Sequence, residues 1–151
     1  MDRLPLLRTL QEQEQQRRDA AMLQWREAQR VAEAARDQAD ALVTYRSEYR
    51  KRWAAQFAKA APIEIVRCYQ GFVERLEQAI TAQQGQVQGS AERQEAALQR
   101  LRHREMKLAT VRRLIERREQ ALAQVAQRRD QKACDEAGQR RSPNARLPLA
   151  A

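Results

Sequence analysis

Residues 6–61 contain neither proline nor glycine and residues 63–142 contain no proline, so Pro62 separates two uninterrupted segments. An interior proline breaks or kinks a helix, because it lacks the amide N–H and its ring clashes with the preceding turn. The sequence therefore predicts two very long helices, at about 6–60 and about 63–141, joined by a turn at about 60–62. We expect residues 1–142 to form a single antiparallel coiled coil and residues 143–151 to form a disordered tail.

The composition favours a narrow apolar seam over a compact core. Leu, Ile, Val and Phe supply 27 of the 151 residues, against 29 Lys plus Arg and 20 Asp plus Glu. Such a ratio is typical of disordered chains. Ala, Gln, Glu, Arg and Leu are strong helix formers, however, and a two-helix coiled coil has only one seam to bury. An all-α fold is therefore expected.

Both segments carry apolar or small residues in steps of three and four, the spacing of coiled-coil a and d positions. In the second segment the pattern lasts about nine heptads, and the polar residues at some of its positions weaken the seam without abolishing the pattern. Its positions are Val66, Tyr69, Val73, Leu76, Ile80, Gln83, Val87, Ser90, Gln94, Ala97, Leu101, Arg104, Leu108, Val111, Ile115, Arg118, Leu122 and Val125. The thinner pattern of the first segment, whose heptad phase stays open, consists of Ala21, Ala28, Ala32, Ala35, Ala39, Leu42, Tyr49 and Trp53.

A chain reversal at residues 60–62 predicts which residues face each other, because the numbers of facing positions must then add up to about 121. By this rule Tyr49 faces Phe72. Ala32 and Ala35 lie opposite Gly89, Val87 and Gly85, where small side chains should let the backbones approach closely. Residues after about 116 have no partner in the first helix. The predicted fold is thus a long two-helix antiparallel coiled-coil hairpin with an overhanging C-terminal helix end of about 25 residues, roughly 37 Å.

The net positive charge is concentrated in the C-terminal third of the chain. Residues 1–98 hold 15 basic and 14 acidic side chains, whereas residues 99–151 hold 14 and 6. The overhanging end is therefore basic. A basic terminus of this kind is expected to bind an acidic partner, which can be a protein surface, a nucleic acid or a membrane.

The residues that could carry chemistry are few and isolated. His103 has no second histidine or cysteine one turn away, and Cys68 and Cys134 have the spacing of free thiols. We therefore expect no enzyme activity, no cofactor and no metal. No apolar run is long enough to cross a bilayer, which predicts a cytosolic protein.

A set of residues forms a cross-helix row beside the turn, in which each facing pair obeys the same sum. Two interpretations stay open: a coiled-coil core with partly exposed aromatic rings, or a partner-binding patch, since clustered exposed aromatic residues are typical binding anchors. The cross-helix row consists of Gln38, Leu42, Tyr45, Tyr49, Phe72, Leu76, Ala79 and Gln83.

Three motifs in order resemble the flagellar export protein FliJ family over nearly the whole chain. They lie at 45–50 (YRSEYR), at 69–80 (YQGF followed by LEQAI) and at 130–140 (DQKACDE followed by QR). The resemblance implies a cytosolic stalk-like coiled coil of the flagellar type III export apparatus, peripherally associated with the inner-membrane face of the basal body. It also implies that the protein binds the hexameric export ATPase FliI and the cytoplasmic domain of the export gate protein FlhA, and that it escorts export chaperones.

The resemblance places the binding site for the export gate on the cross-helix row. Gln83 departs from the family, which carries histidine there, and we expect an altered rather than a lost interface. Cys134 and Ala137 replace larger apolar residues of the third motif. The expected contact with the ATPase, here termed the terminal surface, consists of Leu6, Leu7, Leu10, Arg117, Arg118, Arg128, Arg129 and Lys132.

Three alternatives compete with the flagellar role and the terminal surface. The equivalent stalk protein of a virulence-associated injectisome would share the fold and the task. A basic coiled coil that binds nucleic acid would leave the Tyr45, Tyr49 and Phe72 cluster unexplained, and no nucleic-acid partner is expected. The arginines of the terminal surface could also be a solvated basic face without a partner.

Overall fold

The computed structural model describes residues 3–141, which form two α-helices and no strand. Helix α1 spans Leu4–Phe57 and helix α2 spans Ile63–Arg141. The predicted all-α two-helix fold is confirmed. Helix α1 begins before residue 6 because Pro5 lies in its first turn, where an amide N–H would have no helical partner. The assignment of residues 1–142 to one domain stays a prediction, and residues 143–151 lie outside the described range.

The turn between the helices uses the residues that follow Phe57. Ala60 adopts a positive φ of 77°, the left-handed conformation that commonly ends a helix and that glycine usually supplies. Its amide N–H donates to the carbonyl oxygen of Phe57 at 3.3 Å. The carbonyl oxygen of Pro62 accepts from the amides of Ile65 and Val66, at 3.1 and 3.3 Å, and so starts helix α2.

Burial follows the predicted heptads of α2. Each of the predicted seam positions from Val66 to Leu122 is buried or half-buried, and only Val125 is exposed. On α1 the same period fixes the phase that the sequence leaves open. The buried or half-buried positions of α1 at this spacing are Leu4, Leu7, Gln11, Glu14, Arg18, Ala21, Trp25, Ala28, Ala32, Ala35, Ala39, Leu42, Arg46, Tyr49 and Trp53.

The chain forms two compact units, of which the first contains Arg17–Glu105 and is called the turn unit. The two helices lie antiparallel in it, and its most deeply buried residues are Ser90 and Ala32, each only 1% exposed. The predicted close packing of the glycines is wrong. A Cβ atom on Gly85 would meet nothing within 4 Å, and one on Gly89 would meet only the Arg93 guanidinium at 3.8 Å.

The second unit, called the terminal unit, contains described residues 3–16 and 106–141. Its core consists of Leu108, Val111 and Ile115 together with the buried Glu14. Residues 123–141 of α2 are exposed throughout, as the overhang predicts. In the range 3–141, neither helix has a stretch long and apolar enough to span a bilayer.

Candidate functional site

Six aromatic rings from both helices form a cluster beside the turn. Tyr49 lies at its centre, with its ring centroid 4.5 Å from that of Phe72, 5.7 Å from Tyr69 and 6.0 Å from both Tyr45 and Trp53. Positions four apart lie on one face of a helix, and this spacing aligns the four rings of α1. The aromatic cluster consists of Tyr45, Tyr49, Trp53, Phe57, Tyr69 and Phe72.

The end of the cluster nearest the turn contains a residue that the sequence analysis missed. The Phe57 ring lies edge-on to Tyr69 at 5.1 Å and next to Trp53 at 5.4 Å. The i, i+4 spacing that links Tyr45 to Tyr49 continues through Trp53 to Phe57 and was the signal available. Phe57 thus closes the cluster at the last residue of α1.

Exposure differs strongly within the cross-helix row. Tyr45 is 46% exposed, and Gln38 and Ala79 are exposed as well, whereas Leu76 is only 7% exposed. The other members are half-buried: Leu42, Tyr49, Phe72 and Gln83. The row therefore combines an accessible ring with a buried supporting residue, and both open interpretations describe part of it.

Gln83 crosses the helix pair. Its side-chain amide Nε2 donates a hydrogen bond to the backbone carbonyl oxygen of Ala35 at 3.0 Å. An amide at a seam position must find such a partner, because a buried polar group without a hydrogen bond is costly. Gln83 therefore links the two helices at this end of the row.

Two arginines of α1 bind one carboxylate of α2 beside the row. The Glu77 carboxylate accepts from Arg46 at 2.9 Å and from Arg50 at 2.7 Å. Arg46 occupies a seam position where the side chain is half-buried and its guanidinium reaches Glu77. This clasp was not predicted, because a seam arginine cannot be told from a surface arginine until the phase of α1 is known.

The structure brings together only part of the terminal surface. Leu6, which is 72% exposed, and Leu7 line one cavity with Arg117 and Arg118. Leu114 lines the same cavity and was missed by the sequence analysis. Arg8 donates to Glu119 at 3.4 Å nearby. The cavity lining does not include Leu10, Arg128, Arg129 or Lys132.

The isolated candidates stay isolated. Cys68 and Cys134 are exposed free thiols, and His103 is exposed on α2. Among residues 3–141, no group of three or more His, Cys, Asp or Glu residues is placed to hold a metal ion.

Comparison with protein families shows which family the chain belongs to. The sequence pattern of the family described as "Flagellar FliJ protein" matches residues 4–147, nearly the whole chain. The chain belongs to this flagellar FliJ family. Its role is therefore related to flagellar export. Comparison with curated proteins and with solved structures gave no match.

The residues matched by the family include parts of both units of this FliJ-family protein. The matched range includes the turn with the aromatic cluster and the described part of the exposed end of α2. The resemblance inferred from the three motifs is thus confirmed at the level of the family. The cross-helix row and the terminal surface remain predicted sites.

Proposed function

We propose that the protein serves flagellar type III export by binding the cytoplasmic domain of the export gate protein FlhA through the cross-helix row. The observation that carries this proposal is the half-exposed Tyr45 at the edge of the aromatic cluster. Its ring is accessible, while contacts with Tyr49 and Phe72, at 6.0 and 6.3 Å, hold it in place. A preorganised aromatic side chain loses little entropy on binding and makes a good anchor.

The second proposed partner is the hexameric export ATPase FliI. The exposed Leu6 and the cavity that it lines with Arg117 and Arg118 combine apolar area with positive charge. The exposed overhang adds Arg128, Arg129 and Lys132. A stalk that contacts an asymmetric ring must do so through the free ends of its helices, and both groups of residues lie in the terminal unit.

The remaining parts of the proposed role come from the family. The protein would be a cytoplasmic component without enzyme activity, peripherally associated with the inner-membrane face of the basal body. It would also escort export chaperones. The family match favours the flagellar system over the injectisome alternative.

A pull-down at two salt concentrations tests the proposal. The purified protein should retain both the FlhA cytoplasmic domain and FliI at low salt. Retention of FlhA should persist at high salt, because apolar contacts are not screened, whereas retention of FliI should fall. If the protein retains FlhA at neither salt concentration, the proposed function is contradicted.

A further inference from the structure

A groove lies in the turn unit beyond the cross-helix row. It consists of two cavities of about 530 Å³ each, which share Gln24 and Arg100 as lining residues and are therefore adjacent. On α1 the lining runs from Arg17 to Val31, which is roughly 21 Å at 1.5 Å per residue. On α2 it runs from Ser90 to Arg104. We call this feature the basic groove.

The floor of the basic groove is apolar and made of small side chains. Ala21, Ala97 and Ser90 are buried in it. One wall carries Leu23, which is 66% exposed, and the partly exposed Val31. A small-residue floor beside exposed large apolar side chains leaves room for another element to approach closely and gives it apolar area to cover.

The rim of the groove is positive. Arg93, Arg100 and Arg104 lie along α2, and in the part of the chain that the structure describes none of the three makes an ion pair. The one acidic lining residue, Glu27, pairs with Arg30, whose hydrogen bond lowers the pKa of that carboxyl. Its charge is thus already balanced, and the rim presents excess positive charge to a ligand.

The groove continues the side of the helix pair on which the cross-helix row lies. Gln24 and Val31 are two and one heptads from Gln38 on α1, and Arg93 and Arg100 are two and three heptads from Ala79 on α2. Positions seven apart lie on the same side of a coiled coil. The groove nevertheless shares no residue with the row, so a ligand can occupy it separately.

We propose that the basic groove binds an amphipathic α-helix of a partner protein, with an apolar face flanked by Asp and Glu. A helix of about four turns matches the length of the groove, and helices commonly dock into such grooves through apolar side chains at i, i+3, i+4 and i+7. Acidic flanks would meet Arg93, Arg100 and Arg104, which favours this partner over a basic helix. The inference involves neither the proposed FlhA contact nor the proposed FliI contact.

The test uses a fluorescein-labelled synthetic peptide of about three heptads, with Leu at a and d and Glu at e and g. Repulsion between the glutamates keeps the peptide from pairing with itself. A second peptide carries Lys in place of each Glu. Fluorescence anisotropy with the full-length protein should show binding of the glutamate peptide and, at about 100 μM protein, none of the lysine peptide.

Matched variants locate the binding. Arg100→Glu, in the wall shared by both cavities, should weaken binding of the glutamate peptide about tenfold or more. Arg102→Glu makes the same charge change on an exposed residue outside the groove and should change affinity less than about twofold. The proposal is overturned if the two variants behave alike, if the lysine peptide binds equally well, or if the glutamate peptide does not bind.

Discussion

The rings of Tyr49 and Phe72 lie 4.5 Å apart between their centroids, although 22 residues and a chain reversal separate them in sequence. This contact joins the two helices at the site where the sequence predicted a facing pair. Tyr45 contacts both rings from the exposed edge. The proposed docking surface therefore depends on a tertiary contact, and the two tyrosines should respond differently to substitution.

Tyr49→Ala should lower stability more than Tyr45→Ala. Tyr49 contacts four rings, so its removal should cost about 1–3 kcal/mol of unfolding free energy. Tyr45 contacts two rings and is half-exposed, and its removal should cost less than about 1 kcal/mol. Helical circular dichroism at room temperature should stay nearly unchanged for both. Thermal unfolding measures the difference, and equal losses would show that Tyr45 is as much a core residue as Tyr49.

Glu77→Gln should remove the clasp formed with Arg46 and Arg50. Because these side chains are partly exposed, the expected loss is small, roughly 0.5–1 kcal/mol. The difference from the unsubstituted protein should shrink in about 1 M salt, where surface charges are screened. Glu74→Gln, an exposed residue one turn earlier on α2, is the control. A loss at Glu77 that is independent of salt would argue against an electrostatic origin.

Two substitutions should stabilise the protein: adding a methyl group at Gly85 and removing the methyl group of Ala60. Gly85→Ala adds a Cβ that meets no atom within 4 Å and should gain up to about 1 kcal/mol from helix propensity. Ala60→Gly relieves a positive φ of 77° in the turn and should gain about 0.5–1 kcal/mol. Chemical denaturation measures both. Destabilisation by Gly85→Ala would mean that this position packs more closely than the structure shows.

Two truncations divide the terminal surface. Ending the chain after Leu122 removes Arg128, Arg129 and Lys132 but retains the cavity lined by Leu6 and Arg117. Ending it after Ile115 also removes Arg117 and Arg118 from the lining of that cavity. We expect the shorter chain to lose FliI binding and the longer one to retain a weakened, less salt-dependent contact. Full binding by the shorter chain, measured by pull-down, would place the ATPase contact elsewhere.

The parts of the fold that are marked by large apolar residues or by a proline could be predicted from the sequence. The seam of α2 is evident because Leu, Ile and Val mark its heptads, and one proline marks the reversal. The heptad phase of α1 could not be predicted, because several of its seam positions carry polar residues that interrupt the apolar pattern. These residues are Gln11, Glu14, Arg18 and Arg46. The pairing rule places Gly89 opposite Ala32, whereas the structure buries the neighbouring Ser90, because a one-residue shift around a helix is decided by packing and not by composition.

The affinity of the FlhA cytoplasmic domain for Tyr45→Ala, measured by titration calorimetry, tests the central claim most directly. Val43→Ala is the matched control, because Val43 is 40% exposed on the same helix but lines a cavity to which no residue of the cross-helix row contributes. We predict that Tyr45→Ala weakens binding about tenfold or more, while Val43→Ala changes it less than about twofold. Equal affinities for the two variants would contradict a docking surface on the cross-helix row.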